Sequence, residues 1–252
     1  MRIFKDNNIK LIESTHEYKL LDDPEFEFTS CTTFAKYFFL PFDRIGIANN
    51  LTTTHDNYIH LSPQELVEEW DKIAEEGTLI HAEIENFIKN EDTVSHPKSK
   101  IAVDWIKEDI ITIERYDIYP EVIVYAKELS LAGTIDLLIY DRMKNEYKIL
   151  DWKTNRRIDT QSYGHKMGLH PATSHLMDCN YYQYSNQLSL YRYILENYYN
   201  VKVSSAAICH RTKSKPQFYK TEYHVDTIEQ MLQADREELK RNADDMLTKD
   251  FV

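Results

Sequence analysis

The stretch GTIDLLIYDRMKNEYKILDWKTN, from Gly133 to Asn155, constrains the fold more than any other part of the chain. Two apolar runs flank the turn-forming residues DRMKN, a pattern that predicts two antiparallel strands joined by a short turn. Nearly every apolar position of the first run is filled, yet Asp136 stands in its middle, and the second run ends on Asp151 and Lys153. The chemistry of the protein has to explain why a hairpin carries two acids and a lysine in its most buried part.

Strand and helix patterns interleave along the rest of the chain. A hairpin is predicted near the start, followed by a short helix that Thr29 or Ser30 would cap. Residues 41–60 are predicted to be loop with short helical pieces. A longer helix begins at Ser62, where Pro63 suits the first turn and Glu65 completes a capping box. The other predicted elements are a helix over 99–114, a strand over 121–127 that follows a proline, a helix over 181–199, strands over 201–212 and 217–225, and one helix over 226–247 with its own capping box. This order predicts a single α/β domain over residues 1–252, with strands and helices around one sheet.

The distribution of charge is uneven. The net charge of −12 argues against general binding to nucleic acid. Between Arg142 and Lys220, however, 13 Lys and Arg face 5 Asp and Glu, whereas the rest of the chain holds 17 and 37. A basic middle segment in an acidic chain can form a local anion-binding face, although such clustering also arises by chance on a solvated surface.

Several classes of protein are disfavoured by composition. No apolar run approaches the roughly 18 residues of a membrane span, so no membrane partner is expected. The first ten residues carry charge without a following apolar stretch, which does not predict a secretory signal. The three cysteines are scattered and form no CxxC, which suits a reducing compartment better than a disulfide framework. We therefore expect the protein to be cytoplasmic. If the source is a eukaryote it could instead be mitochondrial or nuclear, and if the source is a virus it would lie in the host cytoplasm.

The spacing of the charged residues indicates their chemistry. Residues i and i+2 of a strand share a face, so Asp151 and Lys153 point the same way while Trp152 points into packing. Asp136 on the partner strand can meet Asp151 across the pair or diagonally. Two carboxylates brought together repel each other, and a divalent cation such as Mg²⁺ is one natural compensation. The structural alternative is a buried salt bridge between an aspartate and the lysine.

An acid on one strand and acid-x-lysine on the next resembles the core motif of the PD-(D/E)XK nuclease superfamily. Asp136 stands for the first acid and Asp151-Trp152-Lys153 for the (D/E)XK. The proline that precedes the first acid in the superfamily is replaced by Ile135. The resemblance implies an α/β, restriction-endonuclease-like fold, with a mixed central sheet flanked by helices, and a metal-dependent nuclease with a catalytic core over about residues 77–211.

Two further motifs resemble the RecB-like branch of the superfamily. GTLIHAEIE places His81 and Glu85 on one helix face, and the resemblance implies that His81 binds metal or lies in the active site. QLSLY places Gln187 and Tyr191 on one helix face, and the resemblance implies that this face lies near the nucleic-acid backbone. Glu121 would support the metal site. The structural alternatives are a core histidine, a strand-end surface glutamate, a water-exposed glutamine and a core tyrosine.

The resemblance thus implies a full set of site residues. One or two Mg²⁺ or Mn²⁺ would be held by His81, Asp136, Asp151 and the backbone carbonyl of Trp152. The catalytic residues would be Asp136, Asp151, Lys153, Glu121, Gln187 and Tyr191, with Lys153 positioning the nucleophile or neutralising developing charge. The substrate would be bound by Gln187, Tyr191, Thr154, Arg156, Arg157 and Lys166, the last three from a basic loop where Tyr163 could stack on bases.

Cysteine usage separates this chain from part of the branch. RecB-like members with an iron–sulfur cluster use four cysteines, whereas this chain has three and lacks the grouped C-terminal set, so no cluster is expected. The chain is similar to cluster-free members such as mitochondrial genome-maintenance and phage exonucleases. That likeness implies a DNA partner, single-stranded DNA in particular, and exonuclease activity. The alternative is a catalytically inactive nucleic-acid-binding or protein-docking module of the same fold.

Overall fold

The computed structural model describes residues 8–90, 92–211 and 215–249. The helices are α1 (Cys31–Lys36), α2 (Arg44–Thr54), α3 (Pro63–Asn90), α4 (Pro97–Ile106), α5 (Asn180–Tyr198), α6 (Val225–Leu232) and α7 (Arg236–Lys249). The strands are β1 (Ile9–Ile12), β2 (Glu17–Leu20), β3 (Thr29–Ser30), β4 (Tyr116–Ala126), β5 (Leu131–Asp141), β6 (Glu146–Lys153), β7 (Val203–Arg211) and β8 (Pro216–Thr221). A π-helical turn over Lys107–Ile111 continues α4. Among these helices none is long and apolar enough to cross a membrane.

One mixed sheet organises the molecule. Its strands lie in the order β4-β5-β6-β7-β8, with β6 and β7 parallel and the other neighbours antiparallel. The short β3 pairs in parallel with the first residues of β5, and β1 and β2 form a separate hairpin. The predicted α/β fold with a mixed, helix-flanked sheet is confirmed, and so is the central hairpin, which is β5 and β6.

The two faces of the sheet pack against different helices. Leu138 and Ile149 belong to one apolar core with residues of α1, α5 and α6. Leu137, Leu150 and Trp152 belong to a second core with residues of α3 and α4. Because side chains alternate along a strand, the same hairpin supplies both cores. Trp152 points into packing as predicted, since its ring is buried against Trp105, with ring centroids 6.1 Å apart.

The start of α3 follows the predicted capping box. Ser62 Oγ accepts from the Glu65 amide at 3.2 Å, and Glu65 Oε2 accepts from the Ser62 amide at 2.7 Å. The helix runs without a break through Gly77, where an added Cβ would lie 2.9 Å from Thr154 Oγ1. The glycine therefore marks a close approach between α3 and the residue that follows β6.

Several predicted boundaries were wrong. The strand predicted to begin after Pro120 begins at Tyr116. In the part of the chain that the structure describes, β4 is an edge strand that pairs with β5, and a proline is tolerated on an edge strand. Asp226 does not cap the last helix; it lies in the first turn of α6, and α7 is a separate helix. Residues 44–54, predicted as loop with short helical pieces, form α2, capped by Asp43, whose Oδ1 accepts from the Gly46 amide at 2.9 Å.

Candidate active site

The site lies where β5 and β6 part. Their backbone pairing extends from Asp141 opposite Glu146 to Leu137 opposite Leu150. One position further, the strands separate, and Asp136 Oδ2 accepts a hydrogen bond from the Trp152 amide at 2.7 Å. The Asp136 carboxylate thus replaces a backbone carbonyl as the acceptor of the Trp152 amide, and this hydrogen bond fixes the carboxylate at the opening between the strands.

Three side chains from three elements converge at this opening. His81 of α3, Glu121 of β4 and Asp136 of β5 each offer one ligand atom, and these atoms lie within 4.8 Å of one another. His81 Nδ1 is 3.6 Å from Asp136 Oδ2. All three residues are half-buried, so they remain reachable from solvent while their ligand atoms are held close. We call these three residues the acidic cluster.

Glu121 reaches the acidic cluster through an unusual backbone. Its φ is +49°, in the left-handed region that a non-glycine residue seldom adopts. Regular pairing continues on both sides of it, from Pro120 with Leu137 and from Val122 with Ile135, so Glu121 lies opposite Asp136. Such a conformation costs about 1–3 kcal/mol and persists only where surrounding structure enforces it. Sequence analysis placed Glu121 at a strand end, and the structure places it inside β4.

The electrostatics of the acidic cluster favour an added cation. Burial raises the pKa of Glu121, and the Asp136 and Glu85 carboxylates raise it further against the opposing effect of Lys89. Crowded carboxylates that raise one another's pKa hold a divalent cation well, because the cation removes the repulsion. A donor set of one imidazole and two carboxylates suits Mn²⁺ as well as Mg²⁺. The residues therefore fit the metal that the sequence predicts, with Glu121 among them; Glu85 itself forms an ion pair with Lys89.

Asp151 and Lys153 form an ion pair beside the acidic cluster. Asp151 is 2% exposed, and its Oδ2 lies 2.6 Å from Lys153 Nζ. Burial raises the pKa of Asp151 to about 6, with Lys153 opposing and Asp136 adding to the rise. Burial works against the charge of Lys153, but the Asp151 and Asp136 carboxylates outweigh it and raise the Lys153 pKa. Lys153 is thus a charged ammonium held next to the opening.

The two QxxxY residues face inward from α5. Gln187 Nε2 donates to Tyr191 Oη at 3.0 Å and lies 3.5 Å from Asp151 Oδ1. Both residues are buried, and a Cβ on Gly133 would lie 2.4 Å from Tyr191 Cε1. Gln187 therefore contacts the ion-paired carboxylate, while the ring of Tyr191 packs directly on the backbone of β5.

The predicted substrate-binding residues lie along the chain after β6. Thr154 faces Gly77, and Arg156 Nη1 is 3.4 Å from Tyr58 Oη. Arg157 Nε forms an ion pair with Asp159 at 2.7 Å. Lys166 and Tyr163 are exposed, Tyr163 to 95%. Arg156 thus joins the basic loop to the α2–α3 connection, whereas the other cations lie on the loop's surface.

Sequence analysis did not single out Lys36, at the end of α1. Partial desolvation lowers the pKa of Lys36, and the charge of Lys153 lowers it further, so the two cations interact. Nothing in the spacing of Lys36 indicates this, because the neighbourhood arises only when α1 packs beside the sheet. A lysine whose charge interacts with that of Lys153 can contribute to the binding of an anionic substrate.

The fold and the acidic cluster define a class of protein, and a comparison with known families agrees. A family model for the PD-(D/E)XK nuclease superfamily matches residues 63–252. The chain belongs to this superfamily, whose members are nucleases that use divalent metals. No curated protein matches the chain.

Proposed function

We propose that the protein is a metal-dependent nuclease that digests single-stranded DNA from a free end, and that it acts as one domain. The observation that carries the proposal is the acidic cluster of His81, Glu121 and Asp136 beside the charged Lys153, at the opening between β5 and β6. Carboxylates alone would repel a phosphodiester. A cation between them and an adjacent ammonium offset this negative charge and allow the substrate to approach.

Each residue then has a role in hydrolysis. His81, Glu121, Asp136 and Asp151 would hold the metal together with the Trp152 carbonyl. When bound, one or two Mg²⁺ or Mn²⁺ would supply Lewis-acid activation of water and of the scissile phosphate. Lys153 places its ammonium where negative charge develops on the phosphate oxygens. Gln187, which contacts Asp151, and Tyr191, which contacts Gln187, would hold that part of the site in place and border the substrate strand.

The surroundings of the site support a single strand as substrate. The contact between Arg156 and Tyr58 joins the basic loop to the α2–α3 connection, so a cation and an aromatic ring lie together where the chain that follows β6 meets this connection. Backbone phosphates would contact Lys36, Arg156, Arg157 and Lys166, and a base would stack on the exposed ring of Tyr163. Such a surface suits a flexible strand better than a stiff duplex.

The test compares three substrates of equal length at equal salt with Mn²⁺ or Mg²⁺. These are a linear single strand, a circular single strand and a blunt duplex, with a linear RNA strand as a further arm. We expect rapid loss of the linear DNA strand alone. Rapid cutting of the circle would show that no end is needed, and equal cutting of the blunt duplex would remove the single-strand preference. Cleavage should weaken as salt rises, because phosphate contacts release counterions.

A second candidate is a binding module of the same fold without catalysis. The observation that favours it is the ion pair between Asp151 and Lys153, because each of these charges already has a partner within the chain. This candidate predicts salt-sensitive DNA binding, no cleavage with any divalent metal, and unchanged binding after Asp136→Asn. Metal-dependent cleavage by the wild-type protein excludes it.

A further inference from the structure

The ammonium of Lys153 has a second neighbour besides Asp151. Its Nζ lies over the ring of Tyr184, 4.6 Å from the ring centroid. Tyr184 precedes Gln187 by three residues on α5, so both side chains extend from the same helix face. The negative face of the tyrosine ring attracts a cation, so Lys153 is held between a carboxylate and an aromatic ring.

Tyr184 is itself held in place. Its hydroxyl donates to Asn155 Oδ1 at 3.0 Å. The backbone carbonyl oxygen of Asn155 lies 2.6 Å from His210 Nε2. A carbonyl oxygen only accepts, so His210 Nε2 carries the hydrogen. His210 is buried and lies opposite Lys153 across the β6–β7 pairing. The ring of Tyr184 is therefore anchored to the chain two residues beyond Lys153, and that chain is anchored to β7.

We propose that Tyr184 is a positioning residue that fixes the ammonium of Lys153 at the opening between β5 and β6. A lysine has a flexible four-carbon stem and a point charge, so it loses considerable rotamer freedom when one orientation is imposed. The side chain of Lys153 keeps 17% exposure, which leaves it a route toward solvent. The ring of Tyr184 favours the buried orientation, because a partly desolvated ammonium is stabilised over an aromatic face. The kinetic consequence rests on the proposed nuclease function, whereas the placement of the ammonium does not.

The placement is tested by NMR on protein labelled with ¹³C at the lysine ε-carbons. A methylene held beside an aromatic face resonates upfield of an ordinary lysine, and the Lys153→Arg variant assigns the signal by removing it. We expect the shifted signal in the wild type and in Tyr184→Phe, which keeps the ring. The signal should return to the ordinary position in Tyr184→Leu. Tyr182→Leu is the matched control, because Tyr182 is half-buried on the same helix and its ring contacts Tyr181 and His224.

The same variants are then assayed for cleavage of linear single-stranded DNA. Tyr184→Leu should lower kcat about tenfold, because the free energy of one partly desolvated cation–π contact corresponds to a factor of that order. The KM should be nearly unchanged. Tyr184→Phe should retain most of kcat, and Tyr182→Leu should retain all of it. A merely structural tyrosine would instead lower the melting temperature and the active fraction, with no change in the Lys153 signal.

Each outcome decides the proposal. An ordinary Lys153 shift in the wild type overturns it, whatever the activity. A shift that Tyr184→Leu abolishes while kcat is unchanged also overturns it, since the contact would then position nothing that matters. If the wild type shows the shifted signal but cuts no nucleic acid, the nuclease function fails and the placement of the ammonium by Tyr184 stands.

Discussion

Asp141 and Asp136 lie on the same strand, β5, in opposite surroundings. Asp141, at the closed end of the hairpin, accepts from Arg115 Nε at 2.6 Å and from the amides of Met143 and Lys144 at 3.1 and 3.2 Å. The Arg115 side chain and these amides lower the pKa of Asp141 to about 2. Asp136, at the open end, faces another acid, Glu121, whose pKa burial and Asp136 raise.

The contrast shows how one hairpin divides stability from function. At the closed end both oxygens of the buried Asp141 carboxylate contact Arg115 or a backbone amide, and these contacts stabilise the fold. At the open end carboxylates face one another across a strained backbone, an arrangement that costs stability until a cation joins it. Substitutions at the open end should therefore affect activity, and substitutions at the closed end should affect folding.

The largest expected effect follows from the Asp151–Lys153 pair. Lys153→Ala or Asp151→Ala should lower cleavage by at least about 10²–10³-fold, because charge stabilisation at the reacting phosphate is of that order. Circular dichroism should show the folded protein in both variants. Lys144→Ala is the matched control, since Lys144 is an exposed lysine on the same hairpin. Either variant cutting at the wild-type rate with Mg²⁺ or Mn²⁺ would remove the catalytic assignment.

The next effect concerns metal binding at the open end. His81→Ala should raise the Mn²⁺ concentration for half-maximal activity at least about tenfold, since even indirect partners of a metal contribute that much. The loss should be larger for Mn²⁺ than for Mg²⁺, because imidazole suits Mn²⁺ better. His60→Ala, an exposed histidine, is the control. Unchanged metal dependence with a large fall in melting temperature would instead identify His81 as a core histidine.

The sequence predicted the local geometry of the site better than the contacts between elements that are distant in sequence. Alternation gave the strands and the inward Trp152, and the four-residue spacing of Gln187 and Tyr191 gave their shared face, because both depend only on local geometry. The place of Glu121 in the acidic cluster depends on a left-handed backbone inside an edge strand, which no periodic pattern reports. The electrostatic interaction between Lys36 and Lys153 arises from packing between elements far apart in sequence.

A third prediction tests the closed end. Arg115→Met should lower the free energy of unfolding at neutral pH, because it leaves the buried Asp141 carboxylate without its cation. In the wild type, the ordinary pKa of 3.8 falls to about 2 on folding, so the stabilisation is present above about pH 4 and is lost as the pH falls through 2. Arg115→Met should lose part of this acid dependence in urea titrations.

The control for the closed end is Arg142→Met. Arg142 pairs with Asp117 at 3.3 Å on the surface of the same hairpin end, and exposed pairs contribute little. Equal destabilisation by the two variants would show that the Arg115–Asp141 pair is no more important than a surface contact. Nuclease activity per folded molecule should be unchanged in both.

The smallest expected effect is a gain in stability at the open end. The sequence, which brings Asp136 and Asp151 together, predicts that removing the Asp151 carboxylate relieves repulsion and raises stability. In the structure, however, Asp151 pairs with Lys153, and it is Glu121 that is repelled by the Asp136 and Glu85 carboxylates. Glu121→Gln should therefore raise the melting temperature of the metal-free protein, by about 2–4 °C for each kcal/mol of repulsion removed. The same variant should lose most of the rise in melting temperature that Mn²⁺ gives the wild type, because ligand binding to the folded state is the source of that rise.

The control for the open end is Glu128→Gln, because Glu128 is an exposed glutamate just after β4. This variant should change neither the melting temperature of the metal-free protein nor the rise that Mn²⁺ causes. A metal-free Glu121→Gln protein that melts below the wild type would show that Glu121 stabilises the edge strand, and the division between the two ends of the hairpin would not hold.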